Sequence, residues 1–466
     1  MRNYVFNEAM KLRRKTIVKM AQLFMSDKLK EELPKLNRKL LPGPDPTYRA
    51  SLYHEREVLK QRIKLYLGMN YEASKDLELY EVADKLEEIL ADKEKNSEFV
   101  QVIKEACDAC PSGKYYATDL CRNCVAHSCQ AVCPKNAITI ESGRAKINPE
   151  LCVGCGLCEK SCNYFAIVKL QRPCERACFP KALKSDLYGA AEIEKERCVS
   201  CASCYVACPF GAIESKSHLL KVLAALKNKE EISVMYAPSI IAQFGPKVEP
   251  GNIKAALIKA GFTNAYDVAK WADDVAQEEA ELVENSENMV TTSCCPAFVE
   301  YIEKHQSDFK ENISPALSPM AECAKHVKKP NEKLVFIGPC IAKKMEAYKN
   351  GSVDYVITFE EAAALFIATG VEPSMIEKAE IDGSSDGWNF AASGGVAQAV
   401  VNKCKKELKV LTMNGLVSGK ESFSFAATEK FDIMEGMACE GGCICGPGIM
   451  VNPKVAKAML GKLKNK

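Results

Sequence analysis

Four cysteines, Cys295, Cys340, Cys439 and Cys443, lie in segments that each follow a predicted strand end. The segments are Thr291-Thr292-Ser293-Cys294-Cys295-Pro296, Gly338-Pro339-Cys340-Ile341-Ala342-Lys343-Lys344 and Met437-Ala438-Cys439-Glu440-Gly441-Gly442-Cys443. Upstream, between 107 and 208, sit sixteen more cysteines, many in C-x2-C units. Such units bring thiolates within reach of one metal or cluster, a geometry that disulfides neither need nor favour. The chemistry implied is redox catalysis at a thiolate-rich pocket supplied by a wire of iron–sulfur clusters.

The spacing of the sixteen groups them. A ferredoxin run reads C-x2-C-x2-C-x3-C-P, is used in pairs, and lends its fourth cysteine to the other run's cluster. Cys198, Cys201, Cys204 and Cys208 match fully, with Pro209 following. Cys152, Cys155, Cys158 and Cys162 match except that Asn163 replaces the proline, and Cys121, Cys124, Cys129 and Cys133 form the same run with two residues inserted. Run swapping predicts 4Fe–4S clusters on Cys121/Cys124/Cys129/Cys162, on Cys133/Cys152/Cys155/Cys158 and on Cys178/Cys198/Cys201/Cys204. Cys107, Cys110, Cys174 and Cys208 remain, enough for a fourth. The Cys107–Cys110 pair also suits a zinc knuckle with Cys121 and Cys124. His127, between two ligands, is read as a neighbour of the metal site and not a ligand.

The elements that must position these groups follow from pattern. Residues 1–100 contain no cysteine and read as helical, with Leu79, Val82, Ala83, Leu86, Ile89 and Leu90 on one helical face and a break at Pro42-Gly43-Pro44-Asp45-Pro46. Residues 101–215 form ferredoxin-like cluster domains. Residues 232–450 alternate short apolar runs with helical patterns, giving an α/β domain with a largely parallel sheet, and 451–466 a C-terminal helix. Expected strands are 232–236, 289–292, 334–337, 355–357, 410–413 and 431–434. Thr358-Phe359-Glu360-Glu361 reads as a capping box. Ligand crevices in open α/β folds lie beyond the carboxyl ends of strands, so the three cysteine segments are expected to converge.

Composition excludes other classes. The chain has 466 residues, is 47% hydrophobic and carries a formal net charge of +2 without blocks of like charge, which gives no reason to expect nucleic acid. No run of about 18 apolar residues predicts a membrane span. The start, Met1-Arg2-Asn3-Tyr4, lacks a Sec-type signal, and with cluster-spaced cysteines this predicts a reduced, cytoplasmic protein.

Together the three segments resemble the signature motifs of iron-only (FeFe) hydrogenases, and the pattern is similar to the group B branch of clostridial-type members. The resemblance covers about 107–450. It implies an H-cluster: a 4Fe–4S cube on Cys295, Cys340, Cys439 and Cys443, with Cys443 bridging to a two-iron unit that carries CO, cyanide and an azadithiolate. It further implies that Cys294 relays protons and that Lys343 hydrogen-bonds a cyanide. Ala237-Pro238-Ser239 and Met437 match residues beside the cluster. For the proton path it implies Ser314 and helical glutamates, with Glu278, Glu279 and Glu281 as candidates and Glu279 carried forward. It also implies that the cluster holding Cys208 lies closest to the pocket.

Several positions depart from the family's usual residues: Gly338 where methionine is usual, Ala297-Phe298 for Gly-Trp, Met320 for glutamine, and Gly446-Pro447-Gly448-Ile449 in the tail after Cys443. Gly338 is expected to leave extra room beside the cluster. Cys323 and Cys404 are read as inert buried thiols, and Cys445 is given no role. The resemblance implies reversible hydrogen chemistry, ferredoxin or a similar small carrier as electron partner, and maturation proteins that supply the two-iron unit. Hydrogen-sensing relatives and Narf-like assembly factors are the alternative classes. Retention of Cys294 argues against the first, and Ala237-Pro238-Ser239, Lys343 and Met437 argue against the second.

Overall fold

The computed structural model describes residues 5–91, 98–107, 110 and 114–463. The start at Met1-Arg2-Asn3-Tyr4 and the last three residues of the expected C-terminal helix lie outside the described residues.

Two parallel sheets, not one, build the region after 232. The first has four strands in the order Ala265–Asp267, Ile232–Tyr236, Lys333–Ile337 and Tyr355–Ile357. The second has three, Val290–Thr291, Ile433–Met437 and Val410–Asn414. All pairings are parallel, with Val335 facing Val234 and Tyr355 in the first sheet and Ile433 facing Val290 and Val410 in the second. Every residue of Ile232–Tyr236 and of Ile433–Met437 is buried, as expected for strands covered on both faces. The strand expected at 431–434 lies two to three residues later. The strand expected at 289–292 is only two residues long, and Ala265–Asp267 was too short to leave a periodic signal.

Helices cover both sheets. Thr358 caps the Phe359–Thr369 helix as expected: its hydroxyl accepts from Glu361 N at 3.2 Å, and Glu361 accepts from Thr358 N at 2.6 Å. Ahead of the sheets, the described residues between 98 and 215 form four two-stranded antiparallel pairs. Tyr115–Ala117 pairs antiparallel with Ile167–Lys169, Ile138–Glu141 with Arg144–Ile147, Leu183–Ser185 with Ala191–Ile193, and Val100–Val102 with Ile213–Ser215. No described helix is long and apolar enough to cross a membrane.

The N-terminal helices pack into the core of the first sheet. Ile17, Met20, Leu59 and Ile63 share one apolar core with Val234, Ile357 and Leu365 of the first sheet and its helix. The helical face expected over 79–90 is broken into Leu79–Asp84 and Leu86–Ala91. Buried charges stitch this region to the rest. Arg13 lies 3.4 Å from Glu214 and 3.7 Å from Glu360, its guanidinium 3.9 Å from the Tyr205 ring, while Arg14 holds Glu360 at 2.6 Å. Glu214 belongs to the cluster domain and Glu360 to the sheet domain, so the Glu8–Met25 helix fastens one to the other.

Candidate active site

The strand ends of the two sheets deliver the pocket. Ile232–Tyr236 runs into Ala237 and the turn Pro238–Ile240, and Lys333–Ile337 into Gly338, Pro339 and Cys340. From the second sheet, Val290–Thr291 leads to Cys294 and to Cys295, which caps the Pro296–His305 helix, and Ile433–Met437 leads to Cys439 and Cys443. The four thiols are brought together. Burial pushes Cys340 up to about 12, with the Cys295 charge adding to it, and raises Cys439 and Cys443, each of which feels both Cys295 and Cys340. Thiols this strongly desolvated and mutually repelling favour the neutral form unless a cation or cluster binds them.

Local backbone makes the approach possible. Gly442 has φ of +89°, and a Cβ there would lie 2.5 Å from Ser393 N. The Gly441-Gly442 pair therefore lets the Cys443 loop close onto its neighbour. Gly436 and Phe298 form a second fitted pair, since a Cβ at 436 would lie 2.2 Å from the Phe298 ring. Phe298, one of the departures from the family pattern, thus packs where only glycine fits opposite it. Gly338 does not leave open room. A Cβ there would lie 2.6 Å from Phe336 Cε1 and 3.4 Å from Ala237 Cβ, so the Phe336 ring already occupies that space.

Lys343 is buried, pairs with Glu346 at 2.6 Å and donates to Ser318 Oγ at 2.9 Å. An ammonium has three donors, so one remains for another acceptor. Ser239 and Ser293 are within the site; the Ser293 side chain lies against Glu279, and the Ser239 hydroxyl has no partner among the described residues. Ala237, Pro238, Ser239 and Met437 are all buried around the same strand ends. The donor set fits the inferred cofactor: four thiols for a cube, with a buried cation and one orphaned hydroxyl, Ser239, beside them for small anionic ligands.

The proton candidates sort themselves. On the Ala269–Asn285 helix, Glu278 and Glu281 face outward, whereas Glu279 is 0% exposed and accepts from Ser293 N at 3.1 Å. Burial pushes the Glu279 carboxyl up to about 7, opposed by the Ser293 N–H and the Ser314 hydroxyl. Burial also raises the Cys294 thiol, with Glu279 the largest charge acting on it. Glu279, Ser314 and Cys294 are thus brought together. A second inward carboxyl, Glu435, was missed. It accepts from Gly394 N at 2.6 Å and Ala397 N at 2.8 Å, and its charge acts on Cys294 and Cys443. A lone glutamate inside the apolar strand Ile433–Met437 was the available signal.

The remaining cysteines are placed near one another in sets. Cys129 feels Cys162, Cys121 and Cys124, and Cys158 feels Cys152 and Cys155 in a cavity also lined by Cys133. Cys204 feels Cys201, Cys198 and Cys178. Burial pushes Cys174 up to about 12, with Cys208 and Cys107 adding to it, and Cys110 feels Cys107 and Cys208. The structure thus sets Cys110 beside Cys107 and Cys208, while the zinc-knuckle alternative needs it beside Cys121 and Cys124. His127 turns to Asn123 at 3.4 Å.

One expectation is overturned. Cys201, not Cys208, is the wire thiol whose charge reaches Cys439, and the two line one cavity of about 590 Å³ together with Cys445. The Cys178/Cys198/Cys201/Cys204 set therefore borders the pocket. Cys201 lies ahead of the Ser203–Ala207 helix on the pocket side, while Cys208 at its far end turns towards Cys107 and Cys174. Of the other thiols, Cys323 and Cys445 are buried, and Cys404 points to Ala280 O at 3.7 Å.

Fold and pocket set a cysteine-rich domain against a thiol-lined site between two parallel sheets. Residues 230–447 match the iron only hydrogenase large subunit, C-terminal domain; 145–168 match a 4Fe-4S binding domain, and 168–219 the LdpA Fe-S cluster-binding domain. Iron hydrogenase 1 of Clostridium pasteurianum is 29% identical over 52% of this chain and 54% of its own length. The NADP-reducing hydrogenase subunit HndD of Solidesulfovibrio fructosivorans is 28% identical over 51% and 53%. The periplasmic [Fe] hydrogenase large subunit of Nitratidesulfovibrio vulgaris is 27% identical over 53% and 75%. The chain thus spans about half the length of the first two relatives. Residues 230–447 are thus similar to the C-terminal domain of the iron-only (FeFe) hydrogenase large subunit.

Proposed function

We propose that this chain catalyses 2H⁺ + 2e⁻ ⇌ H₂, with Cys295, Cys340, Cys439 and Cys443 holding the cube of an H-cluster and Cys443 carrying its link to the two-iron unit. The observation that carries the reading is the convergence of those thiols with the Glu279–Cys294 pair in one pocket bordered by a wire cysteine. When bound, the cofactor supplies the open iron at which protons and electrons combine. The chain's own residues do the rest. Glu279, poised near neutrality, holds a proton beside the Cys294 Sγ, and Cys294 delivers it into the pocket. Ser314 links Glu279 outward. The remaining Lys343 N–H steadies a buried anionic ligand.

Four further 4Fe–4S clusters, grouped as above, carry electrons, so that a loaded chain without its two-iron unit holds about twenty irons. A small one-electron carrier such as ferredoxin docks on residues 114–170. Exposed apolar side chains flank both cluster sites there, among them Val125 at 99% and Phe165 at 79% exposed. CO and cyanide cannot come from protein side chains, so maturation proteins supply the two-iron unit. So many free thiols suit a reducing compartment, and we place the chain in the cytoplasm. Anaerobic reconstitution followed by a synthetic two-iron mimic tests the function: hydrogen evolution from reduced dye is expected. Uptake of the mimic without hydrogen production or consumption would give the protein to the sensor or assembly class.

A further inference from the structure

Four backbone N–H groups bind cluster-ligand sulfurs in the same way, each four residues after its cysteine. Ala137 donates to Cys133 Sγ at 3.3 Å, Ala166 to Cys162 at 3.4 Å, Ala182 to Cys178 at 3.2 Å and Ala212 to Cys208 at 3.3 Å. The carbonyl of each peptide unit belongs to the preceding residue, and here the four differ. Gly211 O accepts from Arg62 Nη2 at 2.8 Å in a buried contact. Lys181 O accepts from the half-exposed Arg197 at 3.2 Å. Among the described residues, no side chain is recorded donating to Asn136 O or Phe165 O. Glycine at 211 is what admits the guanidinium, because a Cβ there would lie 2.9 Å from Arg62 Nη2.

A cation on a peptide carbonyl polarises that peptide and strengthens its N–H as a donor. Hydrogen bonds to sulfur and local charge set the reduction potential of an iron–sulfur site. The Cys208 site has a second cation. Arg172 is 1% exposed, lies 3.5 Å from Glu175, and its charge acts on Cys107 and Cys110; among the described residues its Nε finds no acceptor. The position suits a relay. Leu170 N donates to Lys114 O at 3.1 Å, closing the 114–170 module, and its two chain ends lead directly to Cys110 and Cys174. On the other side Cys174 reaches Cys204, whose set borders the pocket.

We propose that Arg62 and Arg172 make the Cys107/Cys110/Cys174/Cys208 site the most easily reduced station of the wire, where one electron waits between the 114–170 module and the pocket. The proposal rests on these cysteines holding a 4Fe–4S cluster and not on the hydrogen chemistry. The site gains one electron that entered from the small carrier through the module, and loses it to the Cys178/Cys198/Cys201/Cys204 set. No bond forms or breaks.

Redox titration of the reconstituted full chain, followed by electron paramagnetic resonance, tests it. Cys110→Ser identifies the signal of this site by removing it; a titration that Cys110→Ser leaves complete would defeat the cluster assignment itself. In the unaltered chain that signal should appear at the highest potential of the wire signals. Arg62→Met and Arg172→Met should each move it to lower potential and leave the others in place. Glu214→Gln, which removes the carboxylate 2.9 Å from Arg62, should move it the opposite way. If Arg62→Met fails to assemble, Arg172→Met and Glu214→Gln decide. An unmoved signal in those variants, or one that titrates below the module's signals, overturns the proposal.

Discussion

On the module of residues 114–170, Cys124 and Cys155 stand exposed, with exposed apolar side chains such as Val125 and Phe165 in the same module. In the pocket, Cys340, Cys439 and Cys443 are half-buried at the strand ends of two sheets, and desolvation is the first cause that raises each thiol. The same ligand type therefore serves opposite ends. Under the proposed function, the module's thiols are reached by a partner, and the pocket's are kept from water while protons arrive through Glu279 and Cys294. What differs is not the cysteine pattern but what is packed around it.

The largest expected effect lies at the pocket. Cys294→Ser should cut hydrogen turnover by roughly a hundred- to ten-thousand-fold while the iron content stays unchanged, because a hydroxyl does not exchange protons near neutrality as a thiol can. Full activity would move the proton route elsewhere, and loss of the pocket iron would make Cys294 a ligand.

Glu279→Gln should lower turnover by about a hundred-fold and abolish the pH limb near 7. The stability consequence has a definite sign. The folded carboxyl titrates at about 7, above the ordinary value of about 4.3, so its contribution is full below about pH 4 and is lost as pH rises through 7. Denaturant titrations from pH 4 to 8 should show that loss, about 3 kcal/mol, in the parent chain and not in Glu279→Gln.

At the module, Val125→Asp with Phe165→Asp should slow carrier-driven turnover by about ten-fold and leave dye-driven turnover intact. Equal loss with both donors would contradict the docking face. The smallest effect concerns packing: Gly436→Ala should destabilise the chain by about 1–3 kcal/mol, read by denaturant midpoint, because the added methyl meets the Phe298 ring. Phe298→Leu in the same chain should recover part of it.

Cysteine spacing suggested which thiols lie together, because a cluster demands thiols at fixed separation and the local run is itself a candidate binding loop. Helical phase carried less. It offered Glu278, Glu279 and Glu281 alike, and only the packing of the Ala269–Asn285 helix turns Glu279 inward. The order of the wire was not legible either, since which of Cys201 and Cys208 meets the pocket depends on how the cluster domain docks. That docking depends on Arg13 and Glu360, residues 347 positions apart whose pairing leaves no local pattern. Phe336 filling the space at Gly338 is a similar case, a consequence of neighbouring strands and not of either residue alone.

The central claim is that the Cys295/Cys340/Cys439/Cys443 pocket holds a hydrogen-converting centre with CO and cyanide ligands. Infrared spectroscopy of the matured protein under argon, hydrogen and CO tests it most directly. The account predicts CO and cyanide bands that shift between argon and hydrogen, gain a further component under CO, and are absent from protein made without maturation proteins. Matured protein that holds its cubes yet shows no such bands would contradict it.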